Sequence, residues 1–191
     1  MRRRISVQLL LVFGLAIFFY SCQSEYAKME KAEMAKGVRY DSLFFGIEFN
    51  QTKKKFYDIC WEKNREGLFS AGGRGNYVRY ELPADSADVD KIEMFFYPEF
   101  NQGDNIIAMD LEYRFKAWSP WNDDFQSYDL IPRIKDSLMA WYGGNAFIEI
   151  PDEDSTQTIW AKVDGNRRIA IKAKDEEIVQ VKMTDLTNKA Q

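Results

Sequence analysis

The chain is 191 residues long, 46% hydrophobic and 15% aromatic, with 26 basic and 30 acidic side chains and a net charge of −4. The absence of histidine removes Ser-His-Asp and Cys-His catalysis, histidine general bases and nearly every catalytic zinc site. The acidic balance does not suit nucleic acid, whose phosphates demand a basic footprint.

The chain opens as an export signal. Arg2, Arg3 and Arg4 precede an uncharged run from Ile5 to Tyr20. A basic start followed by a short apolar run is the layout of a secretory signal. As a helix the run reaches roughly 24 Å, short of the ~30 Å hydrocarbon core, so a permanent span is disfavoured. The arginines stay inside and send the rest outward. The run ends in Phe19-Tyr20-Ser21-Cys22, which resembles the lipobox of bacterial lipoproteins. That resemblance implies a signal peptide over 1–21, cleavage before Cys22 and acylation of Cys22. Phe19 and Tyr20 depart from the pattern, which prefers leucine and a small residue there. Two readings compete. Ordinary secretion is disfavoured by Phe19 in the minus-three position, and an uncleaved anchor by the short run.

Cleavage removes three arginines and leaves 170 residues with a net charge of −7. That length suffices for one domain burying roughly 70% of its unfolded surface. With Cys22 acylated, Cys60 is the one remaining thiol and no intramolecular disulfide forms. Cys60 follows Phe56 by four residues on a predicted helix, which makes it a small core residue rather than a nucleophile. Residues 23–38 are charged and lack a sustained apolar stripe, so 22–39 reads as a lipidated tether, spanning on the order of 20 Å.

The domain begins near Tyr40. Leu43, Phe45, Ile47 and Phe49 alternate, predicting a strand. Asn50 or Thr52 caps a helix from Lys53 to about Arg65, with Phe56, Ile59, Cys60 and Lys63 on its inner side and rim; Gly67 ends it. Residues 71–76 form a loop. Three strands follow, on Val78, Tyr80 and Leu82; on Ile92, Met94 and Phe96, ended by Pro98; and on Ile107, Met109, Leu111, Tyr113 and Phe115. Their polar second face predicts an antiparallel sheet wet on one side. Asp129 caps a second helix, with Leu130, Ile134, Leu138 and Trp141 on one face, ended by Gly143 and Gly144. Four strands follow, on Ile148 and Ile150; on Ile159, Ala161 and Val163; on Ile169 and Ile171; and on Val179, Val181 and Met183. Asp164-Gly165 makes a hairpin turn. The fold class is α+β, with two tandem helix-plus-antiparallel-sheet halves, 40–118 and 119–185. The helices pack on one face of the sheets, and 186–191 is a loose tail.

The stretch 44–56, in which Gly46 leads through Thr52 into a helix, resembles the opening of a group of bacterial envelope lipoproteins. Tyr142-Gly143 and Trp160 resemble their second half. Their architecture is similar to the tandem repeat of the β-lactamase-inhibitor protein and to the assembly lipoprotein BamE. The resemblance implies a binding or scaffold role, and no functional residue carries over from it.

Gly72-Gly73-Arg74-Gly75 lacks the Gly-Lys-Ser/Thr ending of a phosphate loop and precedes a strand. Asp152-Glu153-Asp154 fails the calcium-loop spacing, and Asp85, Asp88 and Asp90 read as a solvated turn. No cofactor or metal is implied. Trp118, Trp121, Phe125 and Tyr128 crowd the junction of the halves. They form either an exposed contact surface or the packed seam. The sequence thus predicts a non-enzymatic binding module, lipid-anchored in the cell envelope of a Gram-negative cell, in its outer membrane. An envelope protein is its partner. The alternative is a glycan-handling lipoprotein using aromatic platforms and carboxylates.

Overall fold

The computed structural model describes residues 24–73, 75–83, 91–151 and 157–188. Among the described residues, three α-helices, α1 (Glu25–Ala35), α2 (Lys53–Arg65) and α3 (Ser127–Tyr142), accompany eight strands. The strands are β1 (Phe69–Ala71), β2 (Val78–Glu81), β3 (Ile92–Phe100), β4 (Ile106–Phe115), β5 (Ile148–Pro151), β6 (Thr158–Asp164), β7 (Arg167–Ala173) and β8 (Val179–Asp185). They make one antiparallel sheet in the order β1-β2-β3-β4-β8-β7-β6-β5. The α+β class is as the sequence predicts.

Register explains the core. Phe96, Leu111, Val181, Ile171 and Trp160 stand opposite one another across five strands. Paired residues share a face, and the first four of these are buried. On this face lie α2 and α3. Thr52 caps α2, its hydroxyl accepting from Lys55 N–H at 3.3 Å. Phe56 and Ile59 are the buried side of α2, and the Phe56 ring lies 6.4 Å from that of Phe96. α3 buries Leu130, Ile131, Ile134 and Leu138. Each such side chain contributes about 1.5–3 kcal/mol by leaving water. Trp141 is not part of that stripe and is 51% exposed. A step of four from Leu138 lands on Tyr142 instead, and its hydroxyl donates to Leu43 O at 2.7 Å.

The opposite face of the central strands is wet and carries charge pairs, with Glu93 opposite Arg114 and Asp110 opposite Lys182. Over β5 and β6 that face is covered by α1, which corrects two expectations. The stretch 24–38 is not a free tether, and the helices do not all pack on one face. Ser24 caps α1. Met29 Sδ lies 3.4 Å from Val163 N, and Glu33 is buried. Val163 pairs with Arg168 and Ala161 with Ala170, so they face away from α3. An apolar stripe is not needed here, because polar contacts anchor α1.

Four local differences have physical causes. Leu43 to Phe49 form a tight turn rather than a strand: Leu43 N–H donates to Ile47 O at 2.9 Å and Ile47 N–H to Phe44 O at 2.8 Å. Phe45 (φ 52°) and Gly46 (φ 78°) take the left-handed region that reverses the chain. β1 was not predicted; three residues are too few to show a period. Pro98 lies within β3, beyond the end of β2 at Val78–Phe96, where no second ladder needs its missing N–H. Residues 186–188 are pinned: Leu186 is buried, and Thr187 and Asn188 bond Asp185.

Candidate functional site

The junction between β4 and α3 is folded by Gln126, which is buried and stands at the N-cap position of α3, without a side-chain cap bond, where Asp129 was expected to cap the helix. Its amide donates to Ser119 O and Asn122 O, and its Oε1 accepts from Trp118 Nε1 at 3.3 Å. A 3-10 turn over Asp123–Phe125 then sets the Phe125 ring 5.2 Å from that of Phe115. Trp118 and Phe125 therefore pack against the core. Trp121 is 84% exposed and Tyr128 61%. The four aromatics are divided, two packed against the core and two on the surface.

Tyr128 opens a groove along the outer flank of α3. Tyr128, Ile131, Pro132, Asp136, Glu149 and Trp160 line a space of about 340 Å³. Trp160 comes from β6, on the α3 side of the sheet because it pairs with Ile171. Its Nε1 donates to Glu149 Oε1 at 3.3 Å, and Lys135 Nζ stands 5.3 Å from its ring centroid. The cation over the ring and the carboxylate at its edge hold the indole plane in place. Such a groove offers a fixed aromatic platform, an apolar wall at Ile131 and Pro132, and two carboxylates at its rim. It suits stacking and hydrogen bonding. Trp160 and Glu149 were missed because the alternation Ile159, Ala161, Val163 pointed to a single inner face. Both faces of β6 are covered, one by α1 and one by α3.

Behind the groove lies a buried polar cluster. Lys162 is fully buried, with Nζ 3.0 Å from Asp164 Oδ2 and donating to Gly143 O at the C-terminal end of α3. A cation suits that end of a helix. Asp164 Oδ1 accepts from Asn145 N–H at 2.7 Å. The Asn145 amide donates to Glu33 Oε1 at 2.7 Å. Glu33 is held below the usual carboxylate range by Lys36, against the opposing effect of burial. Cys60 is half-buried, and burial pushes its thiol up to about 12, which suits a packed residue rather than a nucleophile.

Among the described residues no group of three Asp, Glu or Cys is placed to hold a metal ion, and no described helix is long and apolar enough to cross a membrane. The signal at 1–21, Cys22, Arg74, the acidic turn at 85–90 and the Asp152–Asp154 cluster lie outside the described residues. No family model matches the chain, and no curated protein or solved structure matches it.

Proposed function

We propose that the chain is an exported lipoprotein, cut before Cys22 and anchored by lipid there, that acts as a non-enzymatic binding module in the cell envelope. The outer membrane of a Gram-negative cell is the proposed site, and an envelope protein the proposed partner. The observation that carries the binding role is the exposed aromatic band. Trp121 and Tyr128 stand open to solvent, and Tyr128 continues into the Trp160 groove. Exposed aromatics beside an apolar groove are the usual anchors of protein contacts. The lipid reading rests on the basic start, the apolar run and Ser21-Cys22. Gln23 and Ser24 alone then separate the lipid from docked α1. At about 3.5 Å per residue, they hold the domain close to the headgroups.

We read the order helix-four strands, helix-four strands as two tandem halves, joined edge to edge at β4 and β8. The mirrored strand order supports this. A glycan-binding role is the second reading, favoured by Glu149 and Asp136 beside the Trp160 platform.

Intact-mass analysis of the membrane fraction tests the anchor. The expected mass lacks residues 1–21 and carries acyl chains, and Cys22→Ala leaves the protein unprocessed or soluble. A photo-crosslinker at position 128 tests the partner. It is expected to trap one envelope protein, and trapping that persists unchanged in Trp160→Ala would count against the groove. Binding of a soluble polysaccharide that Trp160→Ala abolishes would favour the second reading.

A further inference from the structure

The other end of α3 forms a second groove. Tyr40, Ser42, Phe44, Trp141, Tyr142 and Arg167 line a space of about 330 Å³. Arg167 is 4% exposed and lies against two rings, its Cζ 4.4 Å from the Tyr142 centroid and 5.5 Å from that of Tyr40. Nη1 donates to Ser42 O at 3.0 Å. Nε is buried and has no acceptor. Burial draws the guanidinium below its ordinary pKa.

The nearby carboxylates are paired elsewhere. Asp164 acts on Arg167 through space, but its ion pair is with Lys162 and its hydrogen bond comes from Asn145. Asp185 is taken by Arg39, Asn166 and Thr187. Among the described residues Arg167 forms no ion pair. A buried guanidinium without a carboxylate is costly, and the cost falls when an anion arrives. Charge selects the anion. Arg167 is a single cation paired in register with Asp164 and Asp185, so a singly charged carboxylate suits it better than a phosphate, whose charge of about −1.5 to −2 would face those two acids. Tyr40, 45% exposed, stands at the open mouth of the groove. Tyr142 is fixed by its bond to Leu43 O. Half-exposed Trp141 supplies a wall for stacking. The volume is at the small end of ligand pockets, about 300–1,000 Å³.

We propose that this groove binds a small ring-bearing organic carboxylate, its carboxylate on Arg167 and its ring against Trp141 and Tyr40. The ring is either aromatic or a sugar acid, and the test separates the two. The full chain is titrated with benzoate, with glucuronate, and with their neutral counterparts benzamide and glucose, by ligand-observed NMR. Saturable binding is expected for one acid, at least tenfold tighter than its neutral counterpart, and the acid that binds identifies the ring. Arg167→Lys is expected to weaken it tenfold or more. Should that variant fail to fold, Trp141→Ala decides, because it changes a half-exposed wall. At least a threefold loss is expected, with the thermal midpoint unchanged. The proposal is overturned if neither acid binds saturably, if a neutral counterpart binds as tightly as its acid, or if folded Arg167→Lys or Trp141→Ala keeps full affinity.

Discussion

Glu33 accepts a hydrogen bond from the backbone N–H of Gly165 at 3.1 Å, although 132 residues separate them. The same carboxylate accepts from Asn145. α1 is thereby fastened to the turn between β6 and β7, with Glu33 itself 6% exposed. Glu33→Ala strips acceptors from two donors in a poorly hydrated site. The expected loss is about 1–3 kcal/mol, read as a lower urea midpoint. Earlier proteolysis near 36–39 should accompany it. An unchanged midpoint would mean that α1 contributes little to the fold.

Acid should weaken the fold. Lys36 chiefly holds Glu33 below the ordinary range. For Asp185, burial pushes upward but hydrogen bonds from Thr187, Asn166 and Arg39 outweigh it, and the carboxyl is lowered. Groups lowered in the folded state add stability above their unfolded pKa of about 4, and lose it as pH falls through the folded value. Asp110 runs the other way, raised by burial, and offsets part of the effect. Glu81 is likewise drawn down, to about 2, by Lys116 and Lys91, and three lowered groups against one raised group predict a stability plateau near neutrality and a decline below about pH 4. Urea midpoints at pH 7, 5 and 3.5 measure it. A midpoint that rises on acidification would reverse the assignment.

Tyr113 and Tyr142 make a controlled pair. Tyr113 is buried and Tyr142 half-buried, but the Tyr113 hydroxyl has no partner whereas the Tyr142 hydroxyl donates to Leu43 O at 2.7 Å. Removing an unsatisfied buried hydroxyl relieves desolvation, so Tyr113→Phe should leave stability unchanged or raise it by up to about 1 kcal/mol. Tyr142→Phe orphans a buried carbonyl and should cost about 1 kcal/mol. Chemical denaturation of the two variants side by side checks the order.

How far the sequence discloses this fold depends on which force shapes each segment. α2 is legible residue for residue because a Thr52 cap and a 3.6-residue apolar period agree. β4 is legible from Met109 to Phe115 because its apolar face alternates there with charge; at its start Ile106 is buried in place of the expected Ile107, beside the register shift at Glu99 and Phe100. The turn at 43–49 is not, since its side chains alternate like a strand while Phe45 and Gly46 reverse the backbone. α1 hides for the opposite reason: its docking runs through Glu33 and Met29, and polar anchors leave no period. The candidate site was half visible. Trp121 and Tyr128 announce themselves, but Trp160, Glu149 and Arg167 reach their grooves only through strand pairing between distant segments.

Gly165 and Gly46 distinguish backbone strain from collision. Both take positive φ, +54° and +78°. An added Cβ at Gly46 meets nothing within 4 Å, whereas one at Gly165 would stand 2.3 Å from Val38 O and 2.9 Å from the Tyr40 ring. Gly46→Ala should therefore cost only the left-handed penalty of about 1–2 kcal/mol. Gly165→Ala adds overpacking of about 1–3 kcal/mol, because the Val38 carbonyl oxygen is a backbone atom and cannot rotate away as a side chain would. Relief requires the segment after α1 to lift, and that movement also strains the Glu33 contact one turn earlier. Hydrogen exchange at the Gly165 amide should therefore quicken in Glu33→Ala, where its acceptor is gone, and the α1 amides should quicken in both Glu33→Ala and Gly165→Ala. Gly46→Ala should leave α1 protected. Equal exchange of α1 in Gly46→Ala and Gly165→Ala would show that the segment at 38–40 does not brace the β6–β7 turn.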